Sequence, residues 1–348
     1  MSVPRVVVCE VQVPFVRGGA EALVRELVRQ LRAREYAVER VSVPFKWYPK
    51  EEILAHAAAW RLLDLSASNG QPIDAVIATK FPSYFVRHPA KVTWLIHQYR
   101  AAYELCGTVY SDFHDTELDV GLRDQLISLD REMLTESQRL FTISRRTAQR
   151  LENFNGIEAE PLYHPSRLAP RLRSGPSGDY VLSVGRIESI KRVDLIVRAM
   201  ETVDPPIRLI IAGEGTQLGH VKRVAVERGV ADRVAFLGAV SDDELIELYA
   251  GALGIVYVPY EEDYGYVTLE AFLARKPVIT THDSGGPLEF VEHDVNGAIC
   301  DPQPAAIADA VNRLAGNRAF AASLGDAGHE RAKTVTWDGV IEKLLGHL

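Results

Sequence analysis

Cysteine is scarce in this chain: Cys9, Cys106 and Cys300 are the only three in 348 residues. They are odd in number, far apart and in no metal-ligand spacing, so they predict neither a disulfide framework nor a metal site and fit a reducing compartment. Long apolar runs are also missing, which excludes an obvious membrane span. Val3–Val8 is short and reads as a first strand, not as the core of a signal peptide. No GxGxxG is present: Gly18-Gly19 is a bare pair with no acidic ribose ligand at the expected distance, which disfavours nicotinamide chemistry. A basic excess is absent too. Lys and Arg number 39 against 47 Asp and Glu, a net charge of −8, unlike a general nucleic-acid binder. Residues 1–170 carry 21 basic and 21 acidic side chains, and residues 171–348 carry 18 and 26. An anionic ligand of the second half therefore needs a local cationic cluster. These features together predict a cytoplasmic protein.

What is present is an ordinary globular composition, 47% hydrophobic and 25% charged, in a chain long enough for two domains. Strands are predicted at Arg5–Val11, Val38–Val43, Ile73–Ala78, Val92–Ile96 and Leu140–Ile143, with helical stretches between them, the first about Ala20–Arg34. The stretch Leu162–Gly178 is rich in Pro, Ser, Gly and Arg and lacks apolar period, so the boundary is placed there. The alternation then restarts: strand Tyr180–Val184, helix Arg192–Met200, strand Ile207–Ala212, helix Gln217–Arg228, strand Val234–Leu237, helix Asp242–Ala250 and strands Gly254–Pro259 and Pro277–Thr281. Such alternation predicts an α/β class with two doubly wound parallel-sheet domains, 1–170 and 171–336, facing a cleft. The last helix, 337–348, is predicted to pack back on the first domain.

Residues 262–271 carry Glu262 and Glu270 on either side of a turn at Gly265 that opens a helix. A helix N-terminus suits a phosphate, and the two carboxylates can accept hydrogen bonds from sugar hydroxyls. A loop glutamate beside a capped helix glutamate explains the pair equally well. Gly185-Arg186 ends a strand and Lys191 follows; the two cations either grip a diphosphate or are merely exposed. Ile211-Ala-Gly213-Glu-Gly215 and Asp283-Ser-Gly-Gly-Pro-Leu-Glu289 are further strand-to-glycine turns on the edge where a doubly wound sheet places its ligand.

With these residues in view, the sequence resembles the retaining glycosyltransferases of GT-B family 4. The resemblance rests on Val-Gly-Arg186 with Lys191, Ala-Gly-Glu-Gly215, Arg233-Val-Ala-Phe-Leu-Gly238, Glu262 to Glu270, Gly285-Gly286 and Asn296-Gly297, in that family's order. The N-terminal likeness is thinner: Gly18-Gly19, His97 after a strand, and Thr142-Ile-Ser144. It implies that Arg186 and Lys191 hold the donor diphosphate at the turns of Gly185 and Gly213, beside the helix start formed by Tyr264, Gly265, Tyr266 and Val267. It further implies that Glu270 binds the ribose, Glu262 and His97 the transferred sugar, and the backbone near Phe236 and Leu237 the base. Gly18 and Gly19 would let their loop close over the diphosphate. Asp263 and Tyr264 replace the family's more usual Gly and Phe.

The resemblance thus implies a metal-independent hexosyltransferase with no cofactor, using a nucleoside diphosphate sugar as co-substrate, UDP favoured over GDP. The acceptor would be a saccharide or a lipid-linked hydroxyl in polysaccharide, lipopolysaccharide or glycolipid assembly. Two rivals stand beside it: a UDP-sugar epimerase of similar fold, and a non-catalytic nucleotide-sugar-binding subunit. On residues alone, His97 reads as a structural hydrogen-bonder or a catalytic base, and the resemblance makes it a sugar contact rather than a base. Tyr264 and Tyr266 read as core or cleft aromatics. Ser144 reads as a helix cap. The helix of residues 20–34 has Leu23, Leu27 and Leu31 on one side and Arg25, Arg29 and Arg32 elsewhere. That pattern reads as a solvated face or as a peripheral contact with an anionic membrane at the inner leaflet.

Overall fold

A computed structural model describes residues 3–16, 18–346 and 348. The chain divides into two compact units, one of residues 1–164 together with 336–348, the other of residues 165–335. The division falls before the 170/171 boundary of the sequence reading. Its physical reason is that the segment after His164 bonds into the second unit, through Ser166 to Glu270 and Arg167 to Asp242.

Unit 1 contains β1 (Arg5–Gln12), α1 (Gly19–Arg32), β2 (Ala37–Pro44), α2 (Ile53–Arg61), a short hairpin β3 (Ala67–Ser68) and β4 (Gln71–Pro72), β5 (Ala75–Ala78), β6 (Lys91–Leu95), α3 (Glu117–Thr135), β7 (Arg139–Thr142), α4 (Arg145–Asn155) and β8 (Glu160–Pro161). Its main sheet has the order β2-β1-β5-β6-β7-β8, and its strand pairs are parallel. Parallel strands need crossovers, and buried strands read as apolar runs; β5 (Ala-Val-Ile-Ala) is wholly buried. Helix α1 buries Leu23, Val24, Leu27, Val28 and Leu31 and leaves Arg25, Arg29 and Arg32 exposed. Ser144 caps α4, accepting from the Thr147 N–H at 3.0 Å.

A final helix, α11 (Trp337–Leu345), belongs to this unit. It ends at Leu345, short of the 337–348 span predicted from the sequence, and His347 lies outside the described residues. The Trp337 ring meets Trp94 edge-on at 6.2 Å and lies 6.0 Å from His164, and Asp338 pairs with Arg34.

Unit 2 runs β9 (Tyr180–Val184), α5 (Val193–Ala199), β10 (Arg208–Ala212), α6 (Leu218–Glu227), β11 (Val234–Gly238), α7 (Asp242–Gly251), β12 (Gly254–Val256), α8 (Tyr266–Leu273), β13 (Val278–Thr281), β14 (Gly297–Cys300), α9 (Pro304–Gly316) and α10 (Arg318–Ala332). Its sheet has the order β11-β10-β9-β12-β13-β14, all pairs parallel. From β9 the chain adds β10 and β11 outward on one side, then returns to add β12, β13 and β14 outward on the other, so the order reverses between β9 and β12. That reversal opens a crevice beyond the carboxyl ends of the two strands. Strand β12 stops at Val256, short of the predicted Pro259, because the chain turns there into the loop that carries Glu262. The core beneath is aliphatic, with Val181, Leu209, Ile211, Val256 and Ile279 buried among the helices' Val and Leu side chains.

Candidate functional site

In unit 2, four loops leave the carboxyl ends of β9, β10, β12 and β13 side by side. The turn after β9 is pressed against the turn after β10. The N–H of Gly185 donates to Ala212 at 3.1 Å, and that of Ile187 to Glu214 at 2.8 Å. Gly213 has φ +151°, and a Cβ there would stand 1.9 Å from the Gly185 carbonyl oxygen. Only a residue without a side chain permits that approach. Gly213 in turn donates to the carbonyl of Gly238 at the end of β11. Beside it, Leu237 is exposed and Phe236 is half-buried under the Lys222 ammonium at 5.6 Å.

Arg186 is exposed on the first turn. Lys191 closes a 3₁₀ turn that precedes α5. Its ammonium reaches Glu262, with which it forms an ion pair, and the phenol of Tyr257 at 3.4 Å. The same Glu262 oxygen accepts from the Tyr257 phenol at 2.9 Å. Burial, and then the Glu262 carboxylate, push the Tyr257 phenol well above its ordinary range, with Arg186 opposing. The phenol therefore stays protonated and donates. Sequence reasoning missed Tyr257, because a single tyrosine in an apolar run reads as core.

The Glu262 loop rests on the glycine pair of the β13 loop. The Glu262 N–H donates to Ser284 at 2.9 Å, and its carbonyl accepts from Gly286 at 2.6 Å. A Cβ on Gly286 would lie 2.8 Å from the Tyr264 backbone, and one on Gly285 (φ +73°) 2.6 Å from the Glu262 carbonyl. Gly285-Gly286 is thus a backbone bed for the acidic loop. Tyr264 is buried, edge-on to Tyr266 and Phe290 at 5.6 Å each, which makes it a core aromatic.

Gly265 caps α8, and Tyr266 and Val267 form its first turn. Glu270 lies inside that helix, buried, with one carboxyl oxygen accepting from Ser166 at 2.5 Å and the other from Tyr249 at 2.8 Å. Burial raises its carboxyl above the ordinary range, opposed by the two hydroxyls. Ser166 and Tyr249 carry no sequence signal, since their relation to Glu270 arises only on folding. Arg192, next to Lys191, was also missed: it grips Asp283 through both Nη atoms at 2.7 Å. Burial alone would raise the Asp283 carboxyl, but Arg192 and Thr281 hold it below the ordinary range.

Gly18, Gly19 and His97 lie in unit 1. The Gly18 N–H donates to Glu21 at 2.8 Å, and Gly19 opens α1. The other Glu21 oxygen pairs with Lys80 at 2.7 Å, a buried ion pair that sequence reading did not single out. Burial pushes the Glu21 carboxyl up, but Lys80 and the Gly18 amide override it and hold it low. The half-buried His97 ring lies 2.7 Å from the carbonyl of its neighbour Gln98. Among the described residues, no group of three or more His, Cys, Asp or Glu is placed to hold a metal ion.

Two successive doubly wound units, each on a six-stranded parallel sheet, make an α/β two-domain fold of the GT-B type. Residues 169–331, just under half of the chain, match the family described as glycosyl transferases group 1, a span that fills almost all of unit 2. An uncharacterized glycosyltransferase of Methanocaldococcus jannaschii is 26% identical over 282 residues, 77% of this chain and 72% of that one. The human alpha-1,3/1,6-mannosyltransferase ALG2 is 30% identical over 169 residues, and the matched stretch spans 44% of this chain and 40% of the relative's length. Among solved structures, the sucrose-phosphate synthase of Thermosynechococcus elongatus superposes with a TM-score of 0.74 at 20% identity, covering 99% of this chain and 97% of that one. HepE of Anabaena, in complex with UDP and glucose, has a TM-score of 0.70 at 16% identity and covers 98% and 100%.

Proposed function

We propose that this glycosyltransferase moves a hexosyl group from a nucleoside diphosphate sugar to a hydroxyl acceptor with retention at the anomeric carbon. The observation that carries the reading is the meeting of Lys191, Tyr257 and Glu262, with Arg186 nearby, where the sheet order reverses. A cation bonded to a carboxylate there can exchange partners. On donor binding, Lys191 turns to the diphosphate, and Glu262, still held by Tyr257, accepts from a sugar hydroxyl.

In the reaction the bond from the anomeric carbon to the diphosphate oxygen breaks with its electrons leaving on the phosphate. Arg186, Lys191 and the N–H groups opening α8 at Gly265, Tyr266 and Val267 stabilise that developing charge. The acceptor oxygen bonds to the anomeric carbon on the same face, and its proton passes to the departing phosphate oxygen. No protein nucleophile is required. Glu270, steadied by Ser166 and Tyr249, offers its remaining lone pairs to the ribose, and the base lies against Phe236 and Leu237. His97, Gly18 and Gly19 have the sugar and loop roles that the resemblance implies.

UDP is the donor base we favour. A thermal-shift panel of UDP- and GDP-sugars tests this, since a ligand that binds the folded chain raises its melting point; no response to either class overturns the reading. No metal is needed in this scheme, so activity is expected to persist in excess chelator, and loss reversed by magnesium would count against it. Donor alone converted to an epimeric sugar nucleotide would favour an epimerase, and binding without turnover a non-catalytic subunit. The acceptor proposed is a saccharide or a lipid-linked hydroxyl. The exposed Arg25, Arg29 and Arg32 of α1, with exposed Phe15 and Val16 before it, support contact with an anionic bilayer. Co-sedimentation with anionic vesicles at low salt tests that contact.

A further inference from the structure

We propose that Arg192 is a positioning residue of the donor site, fixing Lys191 and Glu262 in one frame through Asp283. The inference rests on the donor reading given above and extends it to a side chain that reading does not use.

Arg192 has φ +50° and ψ +39°, a left-handed backbone that residues with a Cβ seldom adopt. A glycine would meet that conformation without strain, yet an arginine stands here, and its side chain is mostly buried. The guanidinium is spread over the ends of two strands. Its Nε donates to the Val258 carbonyl at 2.8 Å, and Nη2 to the Pro259 carbonyl at 2.8 Å and the Thr281 hydroxyl at 2.9 Å. Both Nη atoms donate to the Asp283 carboxylate. Such a planar fork cannot be reproduced by an ammonium.

The contacts form a closed circuit. Lys191 is joined to Arg192 by one peptide bond, and Arg192 is forked to Asp283. The Asp283 carbonyl accepts from the Glu261 N–H at 3.0 Å, and the next carbonyl, Ser284, from Glu262 at 2.9 Å. Glu262 then returns to Lys191 through the ion pair. When a diphosphate takes the ammonium away, that last link opens, and the Arg192–Asp283 fork is what keeps the two halves in register. Strain held by such over-determined bonding is characteristic of functional positions.

The test uses the full chain with Arg192→Gly, Arg192→Lys and Asp283→Asn. Measurements are donor KM and kcat, UDP and GDP affinity by calorimetry, and the thermal midpoint. Arg192→Gly relieves the backbone while removing the fork. It is expected to raise donor KM and lower kcat by about tenfold or more each, as misplaced catalytic groups do. Arg192→Lys should not restore either constant, and Asp283→Asn should move both in the same direction.

Kinetic constants within twofold of wild type in folded variants, whether or not the midpoint drops, overturn the proposal and leave the donor reading standing. Should Arg192→Gly fail to fold, Asp283→Asn decides: unchanged KM and kcat overturn the proposal, and a loss in both supports it. A wild-type chain that binds neither UDP nor GDP overturns the donor reading and this inference together.

Discussion

One oxygen of Glu262 accepts both the Tyr257 phenol, at 2.9 Å, and the Lys191 ammonium. In the proposed scheme the neutral donor stays when the charged one leaves, which gives the two residues separable effects. Lys191→Ala is expected to lower the transfer rate by orders of magnitude with the fold intact. Tyr257→Phe should cost about tenfold, the worth of one hydrogen bond to a charged acceptor. Steady-state kinetics with circular dichroism as the fold control decide; a near-normal rate in Lys191→Ala removes the proposed role.

Glu270 makes a second prediction. Ser166→Ala strips one of its two hydroxyl donors and leaves a buried carboxyl oxygen short of a partner. A stability loss of about 1–3 kcal/mol is expected, with a raised donor KM. Tyr249→Phe should act alike, and each loss should shrink when Glu270 is already Ala. Denaturant titration of the single and double variants measures this.

The glycine bed predicts a steric effect. Gly286→Ala places a Cβ 2.8 Å from the Tyr264 backbone, where nothing flexible can give way. We expect a loss of about 1–3 kcal/mol and impaired turnover, since the same contact supports Glu262. A variant at wild-type activity and midpoint would show that the loop does not depend on that approach.

Asp130 of unit 1 predicts a pH dependence. Burial pushes its carboxyl up to about 7, against the opposing bond from the Tyr103 phenol at 2.6 Å. The unfolded carboxyl releases its proton near pH 4. Between about pH 4 and 7 the folded chain therefore holds a proton that the unfolded chain has lost, so stability falls as pH rises and levels off above that window. Asp130→Asn removes this slope and should gain on the wild type at pH 8 by a few kcal/mol at most, about 1.4 per unit. All four tryptophans, Trp47, Trp60, Trp94 and Trp337, lie in unit 1, so their fluorescence follows its unfolding. Parallel curves for both proteins from pH 4 to 8 would contradict the assignment.

The doubly wound architecture was legible because buried parallel strands are short apolar runs: Tyr180–Val184 is found residue for residue, and Arg5–Val11 gains only Gln12. The strand Gly297–Cys300 escaped notice, being a four-residue segment behind a glycine. At the site, Arg186, Lys191, Glu262 and Glu270 stand out by type and spacing. Their partners do not: Ser166 is 104 positions from Glu270, and Asp283 is 91 from Arg192. Such pairs are products of strand order, which local pattern does not encode. The burial of Tyr264 was likewise undecidable until Phe290 was placed against it.

The chain leaves unit 1 at His164 and comes home at Thr336. Residues 165–335 can therefore be cut out as one uninterrupted polypeptide, whereas the other half exists only as two strands of text. An amino-terminal fragment ending at 164 would bare the Trp94 and His164 rings that Trp337 covers. A truncation after Val335 consequently acts on the unit built from residues 1–164.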